Sequence, residues 1–151
     1  MHRLYENEDI TVFWDSDKCR HAKVCVTQSP TVFNINRRPW IDIGGAKSAE
    51  IWQTVEKCPS GALTCVYNHD IAVVFDEERN CSLAFDGDAE VGECCYREDD
   101  AGWVIEHTGV RPEYEGKGIA KRLVYKVSEE AEKRHVAVIP LCSYAVRVLG
   151  S

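Results

Sequence analysis

The stretch that decides the fold of the second half of the chain is GWVIEHTGVRPEYEGKGIAKRLVYKVSEEAEK, residues 102–133. Its opening residues are rich in apolar and β-branched side chains, which predicts a strand over 102–110. A proline and two glycines then interrupt the pattern and predict a loop over 111–118. Beyond the loop, apolar residues recur at every fourth position, and this period predicts a helix over 119–134 with one buried face.

The residues on either side of this stretch predict further strands. Two apolar runs, CSLAF at 81–85 and VGECCY at 91–96, flank the turn-rich DGDAE and predict a hairpin. VAVIPL at 136–141 has the composition of a buried strand. The second half therefore combines several strands with a single helix.

The first half is interrupted by prolines and predicts shorter elements. ITVFW at 10–14 is strand-like, because it is β-branched and aromatic. A helix is predicted at about 48–57, with Ser48 as its N-cap, and Pro59 and Gly61 end it.

The sequence changes character near residues 70–80, which could belong to either half. We therefore predict a two-domain α+β protein, divided into 1–74 and 75–151. Domains this small bury only about 60% of the surface that the unfolded chain exposes. Each is expected to need a metal cluster or a tightly held cofactor as additional support.

Composition and charge exclude several classes of protein. The chain of 151 residues has a formal charge of −7, whereas a nucleic-acid binder has a basic face. No run approaches the ~20 apolar residues that span a bilayer, and the first residues contain no apolar secretory segment. We therefore expect a cytoplasmic protein that binds neither nucleic acid nor membranes. Because cytosolic thiols stay reduced, some of its eight cysteines should be metal ligands or reactive thiols.

Three cysteines of the first half have the spacing of an iron–sulfur site. Such clusters take thiolates from a tight loop and from one distant cysteine, which proline often follows. Cys19 and Cys25 lie in a short loop, and Cys58 precedes Pro59. The middle loop position, usually a third cysteine, is Ala22, so one corner of the cluster is left open.

The open corner has more than one candidate ligand. His21 could replace a thiolate on iron, or it could only hydrogen-bond a cluster sulfur. Cys65 is the other candidate, although its strand-like surroundings favour a small core residue. The cluster is then a 4Fe-4S cluster with a non-cysteine ligand or a 3Fe-4S cluster. A structural zinc ion is the rival for the whole trio, but zinc sites usually contain a second closely spaced pair.

Residues 8–68 resemble the divergent single-cluster ferredoxin family of bacteria. The matching residues are Cys19-Arg-His21-Ala-Lys-Val-Cys25-Val, Pro30-Thr-Val-Phe33, Arg38-Pro39-Trp40-Ile41 and Cys58-Pro59-Ser-Gly61-Ala62-Leu63. This resemblance implies a small ferredoxin-like domain whose cluster is held by Cys19, Cys25 and Cys58.

The glycine loop of the second half has the character of an anion site. Backbone N–H groups at a helix N-terminus bind anions, and glycines let a pyrophosphate approach closely. Positive charge is expected from Arg111, Lys117, Lys121 and Arg122. The loop lacks the third glycine of the dinucleotide fingerprint and the Gly-Lys-Ser/Thr end of a P-loop.

The same loop resembles the coenzyme A pyrophosphate loop of GNAT acetyltransferases, Gln/Arg-x-x-Gly-x-Gly/Ala, which here reads Glu115-Gly116-Lys117-Gly118-Ile119-Ala120. Glu115 departs from that pattern, and an acid beside a pyrophosphate lowers affinity unless Arg111 or Lys117 compensates. The resemblance implies that acetyl-CoA is bound by Val110, Arg111, Gly116, Lys117, Gly118, Ile119 and Ala120.

Residues 79–151 are most similar to short GNAT-like proteins, through His107-Thr108, Gly118-Ile119-Ala120 and Ile139-Pro140-Leu141-Cys142-Ser143-Tyr144. Acetyl transfer needs a base for the amine and an acid for the departing thiolate. The resemblance suggests Tyr144 as the acid and His107 or Glu106 as the base, while Cys142 could accept the acetyl group. Cys142 and His107 could equally be structural residues of their strands.

Two functions follow from these resemblances. The leading hypothesis is a ferredoxin-like iron–sulfur domain followed by a minimal GNAT-like α/β domain that binds acetyl-CoA and acetylates an unknown amine. The alternative is a small electron-transfer or redox-sensing protein with an unknown redox partner. Its GNAT-like domain would then be a non-catalytic docking or acyl-CoA-sensing module.

Overall fold

A computed structural model describes residues 2–15, 31–34, 41–58, 62–142 and 145–146. The chain divides into two compact units, one that contains Arg3–Tyr67 and one that contains Asn68–Ser151. In their described parts, each unit consists of one sheet and one α-helix, so the predicted α+β class is confirmed. Neither of these helices has the length and apolar composition needed to cross a membrane.

The first unit is built on a three-stranded sheet in the order β1-β2-β3. Strands β2 and β3 are antiparallel, from Ile10 opposite Tyr67 to Trp14 opposite Leu63, which confirms the strand predicted at 10–14. Strand β1 was not predicted from the sequence. The elements are β1 (His2–Glu6), β2 (Ile10–Asp15), α1 (Ser48–Glu56) and β3 (Leu63–Tyr67).

Helix α1 confirms the predicted helix but not its predicted N-cap. The N-cap residue is Lys47, and no side chain caps the helix there. The hydroxyl of Ser48 instead donates to the carboxylate of Asp9 at 3.1 Å and accepts from the amide of Asn7 at 3.1 Å. Because its hydroxyl is bonded to the β1–β2 turn, Ser48 anchors the helix to the sheet rather than capping it.

The second unit is built on a five-stranded sheet in the order β4-β5-β6-β7-β8. Its strands are antiparallel except for β8, which runs parallel to β7. The predicted hairpin, the strand at 102–110 and the second helix are confirmed, while β4 was not predicted and β8 is shorter than expected. The elements are β4 (Ile71–Asp76), β5 (Cys81–Asp86), β6 (Ala89–Asp99), β7 (Gly102–Val110), α2 (Ile119–Lys133) and β8 (Val138–Pro140).

Helix α2 covers one face of this sheet, which we call the inner face. Leu123 and Val127 of the helix are fully buried, and the carbonyl of Leu123 accepts from the hydroxyl of Ser82 at 2.8 Å. Side chains alternate along a strand, so the neighbours of the inner residues lie on the opposite, outer face. The inner residues of the sheet include Ile71, Val73, Ala84, Cys94, Tyr96, Trp103 and Ile105.

Arg122 does not have its predicted role as a positive charge for the glycine loop. Its side chain is only 2% exposed. The guanidinium donates to the carbonyl oxygens of Ile71 at 2.9 Å and Asn68 at 3.5 Å. These bonds attach α2 to the start of β4, and they hold the charge inside the fold, away from any ligand. The prediction was wrong because helical position alone does not show which way a long side chain turns.

Candidate functional site

Cys58 is the one predicted cluster thiolate within the described residues, since Cys19, Cys25 and His21 lie outside them. Cys58 follows α1, and its N–H donates to the carbonyl of Val55 at 3.1 Å. Its side chain is half-buried against the apolar core of the first unit. A thiol at the border of an apolar core suits a cluster ligand, because limited access of water stabilises the cluster and tunes its potential.

Cys65, the other candidate for the open corner, lies in the middle of β3. It packs, partly buried, against the same core as Cys58. This position is compatible with both predicted roles of Cys65, a small core residue and a fourth cluster ligand. A variant of Cys65 is needed to decide between the two roles.

The loop between β7 and α2 has a backbone conformation that depends on its glycines. Gly116 and Gly118 adopt left-handed φ angles of 79° and 75°, which residues with a Cβ rarely adopt. Gly118 is the N-cap of α2 and provides no side-chain hydrogen bond to the first N–H groups of the helix. No described atom lies within 4 Å of the position of a Cβ at Gly116. Gly116 thus leaves open space beside the backbone of the loop.

The base of this loop is attached to the sheet at two points. The N–H of Arg111 donates to the carbonyl of Val91 at 2.8 Å. The hydroxyl of Tyr114 donates to the carboxylate of Asp86 at 2.5 Å, and this hydrogen bond raises the pKa of Tyr114. Held in this way, the loop has little freedom to collapse onto the helix end. The side chain of Glu115 is exposed to solvent.

Cys142 lies directly after β8, next to Thr108 of β7. The two backbone N–H groups of Leu141 and Cys142 donate to the carbonyl of Ile105, at 3.0 and 3.1 Å. The sulfur of Cys142 is 3.6 Å from the hydroxyl of Thr108 and accepts from the N–H of Ala145 at 3.3 Å. Cys142 is half-buried, so its sulfur contacts both of these neighbours and is still partly open to solvent.

The hydroxyl of Thr108 also donates to Cys94, at 3.4 Å. Cys94 is fully buried, and this burial raises the pKa of its thiol to about 12 despite the hydrogen bond from Thr108, which lowers it. Such a thiol stays protonated at neutral pH. Cys94 is therefore a core residue, and Cys142 is the accessible thiol of the pair that Thr108 joins.

His107 lies on the opposite side of the sheet from this group. Thr108 contacts the inner residue Cys94, and adjacent residues of a strand point to opposite faces, so His107 belongs to the outer face. Its side chain is 62% exposed. Glu106 is also exposed and pairs with Arg97 at 2.5 Å. The structure thus brings Cys142 and Thr108 together but separates His107 from them, and Tyr144 lies outside the described residues.

Strand β7 continues well beyond its pairing with β8. Within the described residues, β8 pairs with β7 only from Trp103 to Ile105. Residues 106–110 continue to the glycine loop with β6 as their strand partner on one side. Their other edge begins at Cys142 and leads to the N-terminus of α2. An extended ligand could therefore lie along this edge with an anionic group at the glycine loop.

Both halves of the chain match known families. Residues 5–69 match the family described as divergent 4Fe-4S mono-cluster, and residues 81–151 match the family described as GCN5-related N-acetyl-transferase. Each half of the chain is therefore similar to one of these families. The two resemblances read from the sequence motifs are thereby confirmed.

Similar proteins align with different shares of this chain. The uncharacterized protein YjdI of Escherichia coli strains K12 and O157:H7 is 35% identical over 68 residues, which are 45% of this chain and 87% of YjdI. A crystal structure of a GCN5-related N-acetyltransferase from Sphaerobacter thermophilus aligns with 97% of this chain at 21% identity and a TM-score of 0.45. The chain spans 42% of that protein's length.

Sequence reasoning missed a disulfide bond between Cys81 and Cys95. The two residues are opposite each other on β5 and β6, with Cα atoms 4.2 Å apart. The bond contradicts the expectation that the cysteines stay reduced. The predicted hairpin was the signal that could have suggested this bond. Which cysteines face each other, however, depends on the register of its two strands.

Proposed function

We propose that the first half binds one iron–sulfur cluster through Cys19, Cys25 and Cys58, and that the second half binds acetyl-CoA and transfers its acetyl group to an amine. The acetyl-CoA site is supported by one arrangement above all. The left-handed glycine loop at the N-terminus of α2 continues the edge of β7 that begins beside Cys142. This arrangement suits a long ligand with a pyrophosphate at one end and a thioester at the other.

The pyrophosphate is assigned to the glycine loop. The N–H groups of Ile119 and Ala120 open helix α2, where the helix dipole favours negative charge. Arg111 and Lys117 supply positive side chains, while the exposed Glu115 opposes binding. The full set of proposed ligand-binding residues is Val110, Arg111, Gly116, Lys117, Gly118, Ile119 and Ala120.

The acetyl group is assigned to the end of the site where Cys142 lies. The Cys142 thiolate attacks the acetyl carbonyl, the carbon–sulfur bond to coenzyme A breaks, and the hydroxyl of Tyr144 protonates the departing thiolate. An amine then attacks the acetylated Cys142 and restores the thiol. His107 can act as the base only for an amine that approaches from the outer face. If the amine attacks acetyl-CoA directly, Cys142 contributes by positioning alone.

The cluster, when bound, supplies a one-electron redox couple. In its support, Cys58 is half-buried at the edge of an apolar core and follows a helix end that orients it. The hydrogen bonds described for the second unit involve none of the proposed cluster ligands. The proposal therefore treats the two activities as separable in experiment.

The acetyl-CoA site is tested with a matched pair of glycine variants. Gly116 and Gly87 both have left-handed φ angles, 79° and 61°, and open space at the Cβ position among the described atoms. Gly116→Ala and Gly87→Ala should therefore cost similar stability, roughly 1–2 kcal/mol. Isothermal titration calorimetry should show that Gly116→Ala weakens acetyl-CoA binding by roughly tenfold or more. Gly87→Ala should bind acetyl-CoA as the wild type does. Wild-type protein that binds no acetyl-CoA would overturn the proposed site.

Catalysis is tested by mass spectrometry of the protein after incubation with acetyl-CoA. The two-step route predicts an acetyl group on Cys142 that disappears when an amine is added. Cys142→Ala should not acquire this acetyl group. Binding of acetyl-CoA with no transfer to any amine of a broad panel would select the alternative function, an acyl-CoA-sensing module attached to a redox protein.

The cluster is tested by iron and sulfide analysis and electron paramagnetic resonance of protein purified without oxygen. Cys58→Ser should lose the cluster. A three-iron signal would leave the corner at Ala22 without a ligand. A four-iron signal lost in His21→Ala, or in Cys65→Ser, would assign the fourth ligand to that residue. Zinc without iron would overturn the cluster assignment.

A further inference from the structure

The outer face of the second sheet contains a group of cysteine and carboxylate side chains that have no role in the proposed acetyl transfer. Cys81 and Cys95 face each other across β5 and β6. A carboxylate oxygen of Glu93 lies 3.4 Å from the sulfur of Cys95. One ligand atom each of Cys81, Glu93 and Cys95 lie within 4.8 Å of one another. Because the residues belong to two paired strands, the backbone ladder holds this arrangement in place.

A fourth donor lies on the neighbouring strand. His107 is opposite Cys95 in the pairing of β6 and β7, and its Nε2 is 3.8 Å from a carboxylate oxygen of Glu93. The imidazole of His107 lies next to Gly109, where a Cβ would be only 3.0 Å from Nε2. The glycine therefore provides the space that the ring needs. Three adjacent strands thus provide two cysteine sulfurs, a carboxylate and, next to that carboxylate, an imidazole.

This donor set has the chemistry of a zinc site. Zinc binds cysteine sulfur, histidine nitrogen and carboxylate oxygen, most often four ligands in a tetrahedron, while two thiolates disfavour magnesium and calcium. Cys81 is 4% exposed, whereas the side chains of Glu93 and His107 are 36% and 62% exposed, so an ion can enter from solvent. Arg79 also lies near this group, but its short ion pair, at 2.7 Å, is with Glu90, whereas Glu93 is 3.9 Å away.

We propose that Cys81, Glu93, Cys95 and His107 bind one zinc ion when the two thiols are reduced, and that the Cys81–Cys95 disulfide is the zinc-free form. Reduction of the disulfide takes two electrons and two protons and produces two thiols. Zinc then displaces both thiol protons. In the reverse direction, a small disulfide oxidises the pair by thiol–disulfide exchange, is itself reduced to two thiols, and releases the ion.

The test uses the full chain with its iron–sulfur cluster, reduced by a trialkylphosphine, which becomes the phosphine oxide and does not compete for zinc as a dithiol would. Zinc and iron per chain are measured after addition of zinc chloride and removal of the unbound ion. Reduced wild type should bind one more zinc than Cys81→Ala/Cys95→Ala at equal iron content. X-ray absorption at the zinc edge should show sulfur at about 2.3 Å and nitrogen or oxygen at about 2.0 Å.

Matched variants separate ligation from folding. Cys94→Ala removes the neighbouring thiol on the inner face and should keep the extra zinc. Glu93→Gln and His107→Gln leave both thiols in place and should each weaken zinc binding roughly tenfold or more. Oxidation of the wild type with glutathione disulfide should release the ion. Equal zinc in wild type and the double variant, or zinc retained with the disulfide intact, would overturn the proposal.

Discussion

Cys94 and Cys95 are adjacent in the sequence, yet they belong to different chemical regions of the molecule. Cys94 is fully buried under α2, with a pKa raised to about 12 by that burial. Cys95 is half-buried on the outer face, bonded to Cys81 and close to Glu93. The difference comes from one peptide unit of a strand, because successive side chains point to opposite faces.

This contrast shows how a two-layer unit can hold two thiol chemistries at once. The inner face joins Cys94 through Thr108 to Cys142, at the proposed acetyl site. On the outer face, Cys81 and Cys95 lie beside Glu93 and form the proposed redox-sensitive zinc site. Reactivity therefore follows the face of the sheet and not the position in the sequence.

The largest difference between the two faces is expected when a carboxylate replaces a cysteine on each face in turn. In phosphine-reduced protein, Cys94→Asp buries an unpaired carboxylate and should lower the free energy of unfolding by at least about 5 kcal/mol. Cys95→Asp places the same group where water reaches it and should cost less than about 1 kcal/mol. Urea denaturation followed by circular dichroism measures both. Similar losses in the two variants would break the comparison.

The disulfide should have an intermediate effect, confined to the outer face. It joins residues 14 positions apart, and closing a loop of that size stabilises a fold by about 3 kcal/mol. Phosphine should lower the free energy of unfolding of the wild type by this amount in zinc-free buffer. Cys81→Ala/Cys95→Ala is the control and should not respond to phosphine. An equal response in that variant would assign the effect to other cysteines.

The smallest effect is the pH dependence contributed by Cys94. Its folded pKa of about 12 is above the ordinary value of 9.0, so the folded state favours the neutral thiol. The contribution is complete below pH 9 and is lost as the pH rises from 9 to 12. Between pH 8 and pH 10, wild type should lose about 1.4 kcal/mol relative to Cys94→Ala. A pH-independent difference would contradict the buried, neutral thiol.

Much of the second unit could be predicted from the sequence. The hairpin, the strand at 102–110 and the helix that follows it were predicted from local periodicity and from the loop glycines Gly116 and Gly118. The pattern was weaker for β1 and β4, because a short strand has few residues in which alternation can be seen. The resemblances to the two families also followed from local motifs.

The site was less predictable than the fold. Thr108 was part of a recognised motif, but its contact with two sulfurs depends on where β8 ends and Cys142 begins. His107 belongs to the same motif as Thr108, but its side chain lies on the other face of the sheet. Arg122 looked like a ligand for an anion and is bonded inside the core. Each of these outcomes depends on contacts between elements distant in the chain.

By itself, the sequence determined the resemblances to two families, the order of strand, glycine loop and helix, and the presence of cysteines on β5 and β6. Only the tertiary structure decided which thiols meet. The turn pairs Asp86 with Ala89, and that register, continued, would place Cys81 opposite Cys94. A bulge shifts the pairing beyond Phe85 by one residue and places Cys95 there instead. The physical reason is packing: with the shift, Val91 and Cys94 both lie in the core beneath α2.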